Sequence, residues 1–253
     1  MTQGPPTMPL AGAGLPVTTL SAFRFATRRS RLWAFGQMQF ARGPISRIPH
    51  IGFFKLMGTG SGESFSPQPN WSVYAVLATW PSLDIAEAAI REAPPFCRYR
   101  DHAVESITLY AETATASGLW NARAPFAMPE SRPASGLPMP LGVLTRATIR
   151  TTSLRAFWAA VPDVSDQIAR ETGVLFKLGM GEVPWVNQVT FSVWRSFDDM
   201  RAFAYRHPAH REAIRQAKEQ GWFKEDLFAR FRMLGADGTW NGRRVEIGAP
   251  IEA

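Results

Sequence analysis

The chain has 253 residues, 45 % of them hydrophobic and 19 % charged, enough apolar material for one or two packed domains and too much for a disordered polypeptide. Lys and Arg outnumber Asp and Glu by 28 to 21, a net charge of +7 that suits an anionic membrane surface or an acidic protein. The basic residues are scattered, Arg28-Arg29 with Arg31 and Arg98 with Arg100 being the densest groups, and no zinc-finger or RNA-binding signature occurs, so nucleic acid is excluded as a partner.

Residues 1–16 contain no Lys or Arg and are broken by Gly and Pro. They read as a disordered lead rather than a secretory signal, which places the protein in the cytoplasm. Two similar halves follow, 17–122 and 143–244, joined by a linker over 123–142 that holds Pro125, Pro129, Pro133, Pro138 and Pro140. Three patterns recur in the same order. Phe54-Lys55-Leu56 returns as Phe176-Lys177-Leu178. Trp80, Ser82 and Asp84 return as Trp194, Ser196 and Asp198. Glu105 precedes Trp120-Asn121-x-Arg123 as Glu225 precedes Trp240-Asn241-x-Arg243, with a Glu-to-Trp spacing of 15 in both.

In chain order each half opens with a strand rich in β-branched residues, 17–23 or 143–149. A helix follows, with Leu32, Phe35, Gln39 and Phe40, or Leu154, Phe157, Trp158 and Val161, at helical spacing. The Phe-Lys-Leu strand and a glycine-bearing loop come next, then a strand ending at the paired Trp, 73–80 or 188–194. Asp84 and Asp198 are expected to cap the following helix, and a last strand, 107–110 or 227–231, closes the half. The order β-α-β-β-α-β is the ferredoxin-like pattern. The sequence therefore predicts an α+β fold of two tandem ferredoxin-like halves, closed into a fused pseudo-dimeric α+β barrel.

The residues able to carry chemistry are few. The lone Cys97 excludes an internal disulfide and any Cys-built zinc or iron–sulfur site within one chain, and suits a reducing compartment. No run of 18 apolar residues exists that could cross a membrane as a helix. His210 follows Pro208 at a helix start; Ala213, Ile214 and Ala217 share its face, while Arg211, Glu212, Arg215, Lys218 and Glu219 fall elsewhere. That setting suits either a hydrogen-bonded core histidine or a proximal haem ligand. His102, whose counterpart in the repeat is Trp222, is a second axial candidate or a solvated turn residue, and His50 reads as a loop residue. Lys55 and Lys177 either lay their stems along the surface or face a cavity, where Lys177 could pair with a haem propionate. Arg146 raises the same question and could polarise bound oxygen. The glycine-rich stretch from Gly58 to Glu63 is a turn and not a dinucleotide fingerprint. No phosphate loop, His-Glu-x-x-His or Ser-His-Asp grouping is visible.

Longer segments carry a resemblance. Arg31-Leu-Trp-Ala-Phe-Gly-Gln-Met-Gln-Phe-Ala-Arg42, Ile51-Gly-Phe-Phe-Lys-Leu56, Ala78-Thr-Trp80, Leu144-Thr-Arg-Ala-Thr-Ile-Arg150 and Gly181-Glu-Val-Pro-Trp185 are similar to the spheroidene monooxygenase family, the acyclic carotenoid 2-ketolases, from about Thr18 to Trp240. The resemblance implies a haem-iron monooxygenase that uses O2 and reduced ferredoxin. It would oxidise C-2 of a spheroidene-like carotenoid first to a hydroxyl and then to a ketone. On that reading His210, with His102 as the alternative, holds the iron in the second half. Phe176, Trp185, Phe191 and Trp194 are candidates to line a dry channel for the polyene. The basic surface suits ferredoxin, or peripheral contact with the cytoplasmic face of the inner membrane. Two other classes remain open: a cofactor-free barrel monooxygenase and a non-catalytic haem or carotenoid binder.

Overall fold

The computed structural model describes residues 15–61, 66–128, 140–160, 171–206 and 208–247, without the side chains of 204–206, 208–211, 213 and 214. The expected lead up to residue 14 and the centre of the linker lie outside the described residues.

The first half runs β1 (Val17–Arg24), α1 (Arg28–Phe40), α2 (Arg42–Ser46), β2 (Phe54–Gly60), β3 (Pro69–Trp80), α3 (Leu83–Glu92), α4 (Pro94–His102) and β4 (Glu105–Gly118). The second opens with β5 (Leu141–Ile149) and a 3-10 turn at Thr151–Ser153, leading into α5, whose described part is 154–160. It continues through β6 (Val174–Gly181), β7 (Asn187–Trp194), α6 (Phe197–Arg206), α7 (Pro208–Glu219) and β8 (Phe223–Gly238). The eight strands among the described residues pair antiparallel in one closed barrel of order β1-β3-β2-β6-β7-β5-β8-β4. Each half contributes the ferredoxin-like order, 4-1-3-2 and 8-5-7-6, so the expected fused α+β barrel is what the chain forms. Closure gives every described strand a neighbour on both sides, although β2 and β6 pair over two residues only.

Strand alternation separates two faces. Leu20, Ala22, Leu77, Leu109, Leu144, Phe191, Ala229 and Phe231 point into the barrel and fill it. The opposite face of the first half packs Phe23, Tyr74, Val76 and Ala78 against α1, α3 and α4, which contribute Ala34, Ala86, Phe96 and Tyr99. The two halves meet at unequal seams. Pairing of β4 with β8 runs from Ile107–Gly238 to Gly118–Leu227, whereas β2 meets β6 at Gly58–Gly181 and Thr59–Met180. Gly118 and Gly238 sit at positive φ where a Cβ would lie 2.3 Å from Asp226 O and 2.2 Å from Ser106 O. Glycine is therefore required at both ends of the long seam.

Several expectations need correction. In the first half one helix was expected after the paired Trp, but two form, Pro94 starting the second as Pro208, read as a helix start, does in the second half. Ser82, not Asp84, caps α3 by accepting from the Ile85 N–H. Ser196 likewise accepts from the Asp199 N–H at 2.9 Å. Asp84 and Asp198 instead lie in the first turns, where a negative charge meets the helix dipole. Leu32, Phe35, Gln39 and Phe40, read as a helical stripe, do lie on α1 but are exposed, and Ala34 is the buried residue of that helix. The Phe-Lys-Leu repeats are also not in register. Lys55 pairs with Leu77 on the barrel face, while an irregularity between Val174 and Phe176 sets Lys177 opposite Ser192, on the helix side. A one-residue slip turns a side chain to the other face.

Candidate functional site

The duplicated Glu…Trp-Asn-x-Arg pattern is a lock between halves. Trp120–Arg123 and Trp240–Arg243 are two-residue hairpins, each closed by a pair of backbone hydrogen bonds. Their central residues all have φ between 53° and 73°, as a type I′ turn requires. Glu225 of the second half accepts the N–H groups of Asn121 and Ala122 in the first, both at 2.8 Å. Glu105 of the first accepts from Gly242 N–H of the second at 2.7 Å. Arg146 completes one lock by pairing with Glu225 and Asn121 Oδ1, and Arg24 completes the other by pairing with Glu105 at 3.1 Å and Asn241 Oδ1 at 2.5 Å. Burial alone would raise both carboxyls. The backbone N–H donors and the arginines outweigh it and hold Glu105 and Glu225 below the ordinary carboxylate range.

Register comparison shows where the halves differ. In the first half one row across the helix-side face is Val76–Ser21–Thr108. All three are buried, with the two hydroxyls 2.9 Å apart. The matching row in the second half is Thr190–Thr145–Phe228. There Thr145 is exposed and Phe228 is 37 % exposed. The neighbouring row explains why. Phe23 and Tyr74 of the first half correspond to Ala147 and Gln188 of the second. Phe23 stacks on Tyr99 with centroids 4.9 Å apart, and the position of Tyr99 in α4 is held in α7 by Ala213, counting from Pro94 and Pro208. The first half thus plugs the space between helices and sheet with its own rings, and the second has small or polar residues at the same places.

His210 is the third residue of α7, as Phe96 is of α4. Phe96 is buried in the helix–sheet layer, 6.5 Å from the ring of Trp80. The side chain of His210 is outside the described residues. Arg230 lies beside Val143 on the open face, and among the described residues its buried Nε has no hydrogen-bond partner. Sequence reasoning missed Arg230; aligning it with Tyr110 through the paired glutamates would have marked it. The chemistry of this face suits a flat, acid-bearing group. Smaller side chains stand where the first half has Phe23 and Tyr74, the buried Arg230 Nε has no partner among the described residues, and Lys177 is on the same side of the sheet.

A second opening crosses the short seam, a groove of about 480 Å³ lined by Phe35, Phe40, Trp71, Tyr74, Trp185 and Gln188 among others. Trp185 is 51 % exposed, adopts φ 64°, and donates from Nε1 to Pro67 O at 2.8 Å. A bulky residue in the left-handed region is strained and persists where its surroundings hold it.

The remaining candidates are dispersed. Arg146 is 1 % exposed, faces the barrel interior and lies 5.7 Å from the ring of Trp120, so the sheet separates it from the open face. Phe176 and Phe191 also face inward, packing near Trp240 and Phe231. Trp194 sits under α6 against Phe203 and donates to Ser192 Oγ. Of the four channel candidates only Trp185 lines the groove. His102, at the end of α4, is exposed and stacks on Trp33 at 3.9 Å over the plugged half. Lys55 reaches Glu182 at 2.5 Å, and Glu182 also accepts from Trp120 Nε1 at 2.7 Å. Among the described residues no cluster of three or more His, Cys, Asp or Glu could hold a metal ion, and no helix is long and apolar enough to cross a membrane.

The fold defines the class, a single-chain α+β barrel of two ferredoxin-like halves. It is similar to aldoxime dehydratase, with a TM-score of 0.57 at 11 % identity over 86 % of this chain and 81 % of that one. An aldoxime dehydratase in complex with butyraldoxime gives 0.58 at 10 % identity over 86 % and 79 %. At these identities the likeness reaches the fold alone. No family model matches the chain. Sequence relatives are more specific: spheroidene monooxygenase of Rhodobacter capsulatus is 40 % identical over 90 % of this chain and 95 % of its own length. That of Cereibacter sphaeroides is 40 % identical over 90 % and 70 %, and that of Rubrivivax gelatinosus 32 % over 85 % and 81 %. The chain belongs to the spheroidene monooxygenase family.

Proposed function

We propose that the protein is a haem-dependent carotenoid monooxygenase. It oxidises C-2 of a spheroidene-type acyclic carotenoid to the hydroxy and then the keto product, with O2 and reduced ferredoxin. Family membership supports the monooxygenase and its carotenoid substrate. The observation that carries the cofactor is the missing aromatic plug: Ala147 and Gln188 where the first half has Phe23 and Tyr74. Bound haem would supply the activation of dioxygen, using two electrons and two protons per turnover and releasing water.

The chain's own residues hold and exclude. His210 would hold the haem iron, and Arg230 and Lys177 would hold the acidic side arms. Trp185 and its aromatic neighbours in the groove grip the apolar polyene and exclude water, while Gln188 leads from groove to open face. Fixing one end of a nearly rigid substrate selects which carbon is presented for reaction. Arg146 is a positioning residue, clamping the two halves through Glu225 and so fixing β5 under the cofactor.

The test is an absorption spectrum of haem-reconstituted protein for wild type, His210→Ala and His102→Ala. A Soret band that collapses or shifts only in His210→Ala supports the assignment. A band lost only in His102→Ala moves the site to the first half, and a wild type that binds no haem removes the cofactor from the reading.

A further inference from the structure

Several residues that line the groove are also largely exposed on the outer surface of the protein. Leu32 and Phe40 are each 73 % exposed and Phe35 is 51 % exposed. Leu32 and Phe35 are one helical turn apart and so share the outward face of α1. Across the groove Trp71 is 55 % exposed and meets Phe35 edge-on at 5.3 Å. Contiguous apolar surface of this kind marks an interaction site.

Charge singles out the same segment. Residues 1–62 contain no Asp or Glu and hold seven of the 28 basic residues, leaving 21 basic and 21 acidic residues in the rest of the chain. The entire net charge of +7 therefore belongs to the segment that builds α1, α2 and the near wall of the groove. Arg28, Arg29, Arg42 and Arg47 are exposed. Among the described residues none of the four forms an ion pair. Arg28 precedes Leu32 by one turn, and Arg42 itself lines the groove.

We propose that this face docks on an anionic phospholipid bilayer, Leu32, Phe35, Phe40 and Trp71 entering the interface while the arginines meet lipid phosphates. An apolar substrate then passes from lipid into the groove without crossing water. Interfacial proteins combine these two elements, an apolar stripe that buries and a cationic fringe that attracts. An acidic protein partner would use the arginines and leave the aromatic stripe wet. A second copy of the chain would bring the same positive charge against itself. The docking rests on the surface alone; the passage of substrate rests on the carotenoid reading.

The experiment is co-sedimentation of the full chain with vesicles of phosphatidylcholine mixed with phosphatidylglycerol, and with phosphatidylcholine alone, at low and high salt. Wild type is expected to bind the mixed vesicles, more weakly as salt rises. Phe35→Ser/Phe40→Ser and Arg28→Glu/Arg29→Glu should each bind about tenfold more weakly or worse. Arg243→Glu/Arg244→Glu, an equal change of net charge outside this segment, should bind as wild type does. All four positions in the two test variants are exposed, so circular dichroism should be unchanged. The proposal is overturned if wild type binds neither vesicle, or if the Phe35/Phe40 variant binds like wild type. It is also overturned if that variant only converts a dimer to a monomer. None of these readouts requires haem or turnover, so a failure here leaves the oxidation chemistry standing, and the Soret measurement needs no lipid.

Discussion

Phe23 and Tyr99 stack with their ring planes 27° apart, and at the corresponding places the second half has two alanines, Ala147 and Ala213. A duplicated fold needs its two helix–sheet layers filled alike unless something else fills one of them. Burying an aromatic side chain stabilises a layer by about 1.5–3 kcal/mol, and the second half forgoes that at both positions.

Returning a ring to the second half should therefore exclude the cofactor. Ala147→Phe is expected to weaken haem uptake about tenfold or more while leaving the melting temperature equal or higher. A Soret titration against a thermal melt of the apo protein measures both. Wild-type haem affinity in Ala147→Phe would sink the argument from the missing plug.

The lock between halves makes Glu225 and Arg146 interdependent. Arg146 is almost wholly buried, so Glu225→Ala leaves an uncompensated buried charge, with an expected loss of about 3–5 kcal/mol. Arg146→Met combined with Glu225→Gln removes the charge and keeps an acceptor for the hairpin N–H groups. It should recover most of that loss in urea denaturation. Equal losses in the single and double variants would show that the hairpin contacts, not the buried charge, dominate.

Ala122 occupies the left-handed position that Gly242 holds in the other hairpin, at φ 59° against 73°. A Cβ there costs about 1–2 kcal/mol. Ala122→Gly is expected to raise stability by about 1 kcal/mol and the melting temperature by about 2–4 °C. A drop in the melting temperature would count against the strain.

Both locks also predict acid sensitivity. Glu105 and Glu225 titrate lower in the folded chain than in the unfolded chain. Their contribution is complete above the unfolded carboxyl pKa of about 4.3 and is lost as the pH falls through the lower, folded values. Chemical denaturation from pH 7 down to about pH 3 should show falling stability, with a shallower fall in Glu105→Gln/Glu225→Gln. An unchanged slope in that variant would assign acid unfolding to other groups.

The architecture was legible because duplication repeats its punctuation. Trp80 and Trp194 end β3 and β7, and Glu105 and Glu225 stand at or near the start of β4 and β8. What escaped the sequence depended on direction rather than presence. The helical spacing of Leu32, Phe35 and Phe40 was read correctly, but periodicity does not say whether a stripe faces core or solvent. Lys55 and Lys177 share a tripeptide and lie on opposite faces, because an irregularity near Val174 shifts the register without changing the composition. The Glu…Trp-Asn pattern was visible as a repeat within each half; that each Glu caps the other half's turn follows only from closure of the barrel. Arg146 looked like a pocket residue because nothing local reveals Glu225 as its partner.

The unequal seams give the barrel a spine and a clasp. Between Ile107–Gly238 and Gly118–Leu227 the halves are bound over most of β4 and β8, and at Gly58–Gly181 and Thr59–Met180 they are held by a short join with two glycines in it. Opening there breaks few backbone hydrogen bonds, with the Lys55–Glu182 ion pair and the Trp185–Pro67 hydrogen bond among the side-chain contacts across it, so it is the least costly place in the backbone ladder for the closed ring to gape. The aromatic groove lies over that join, which puts the barrel's most yielding point beneath the longest and stiffest molecule it is proposed to handle.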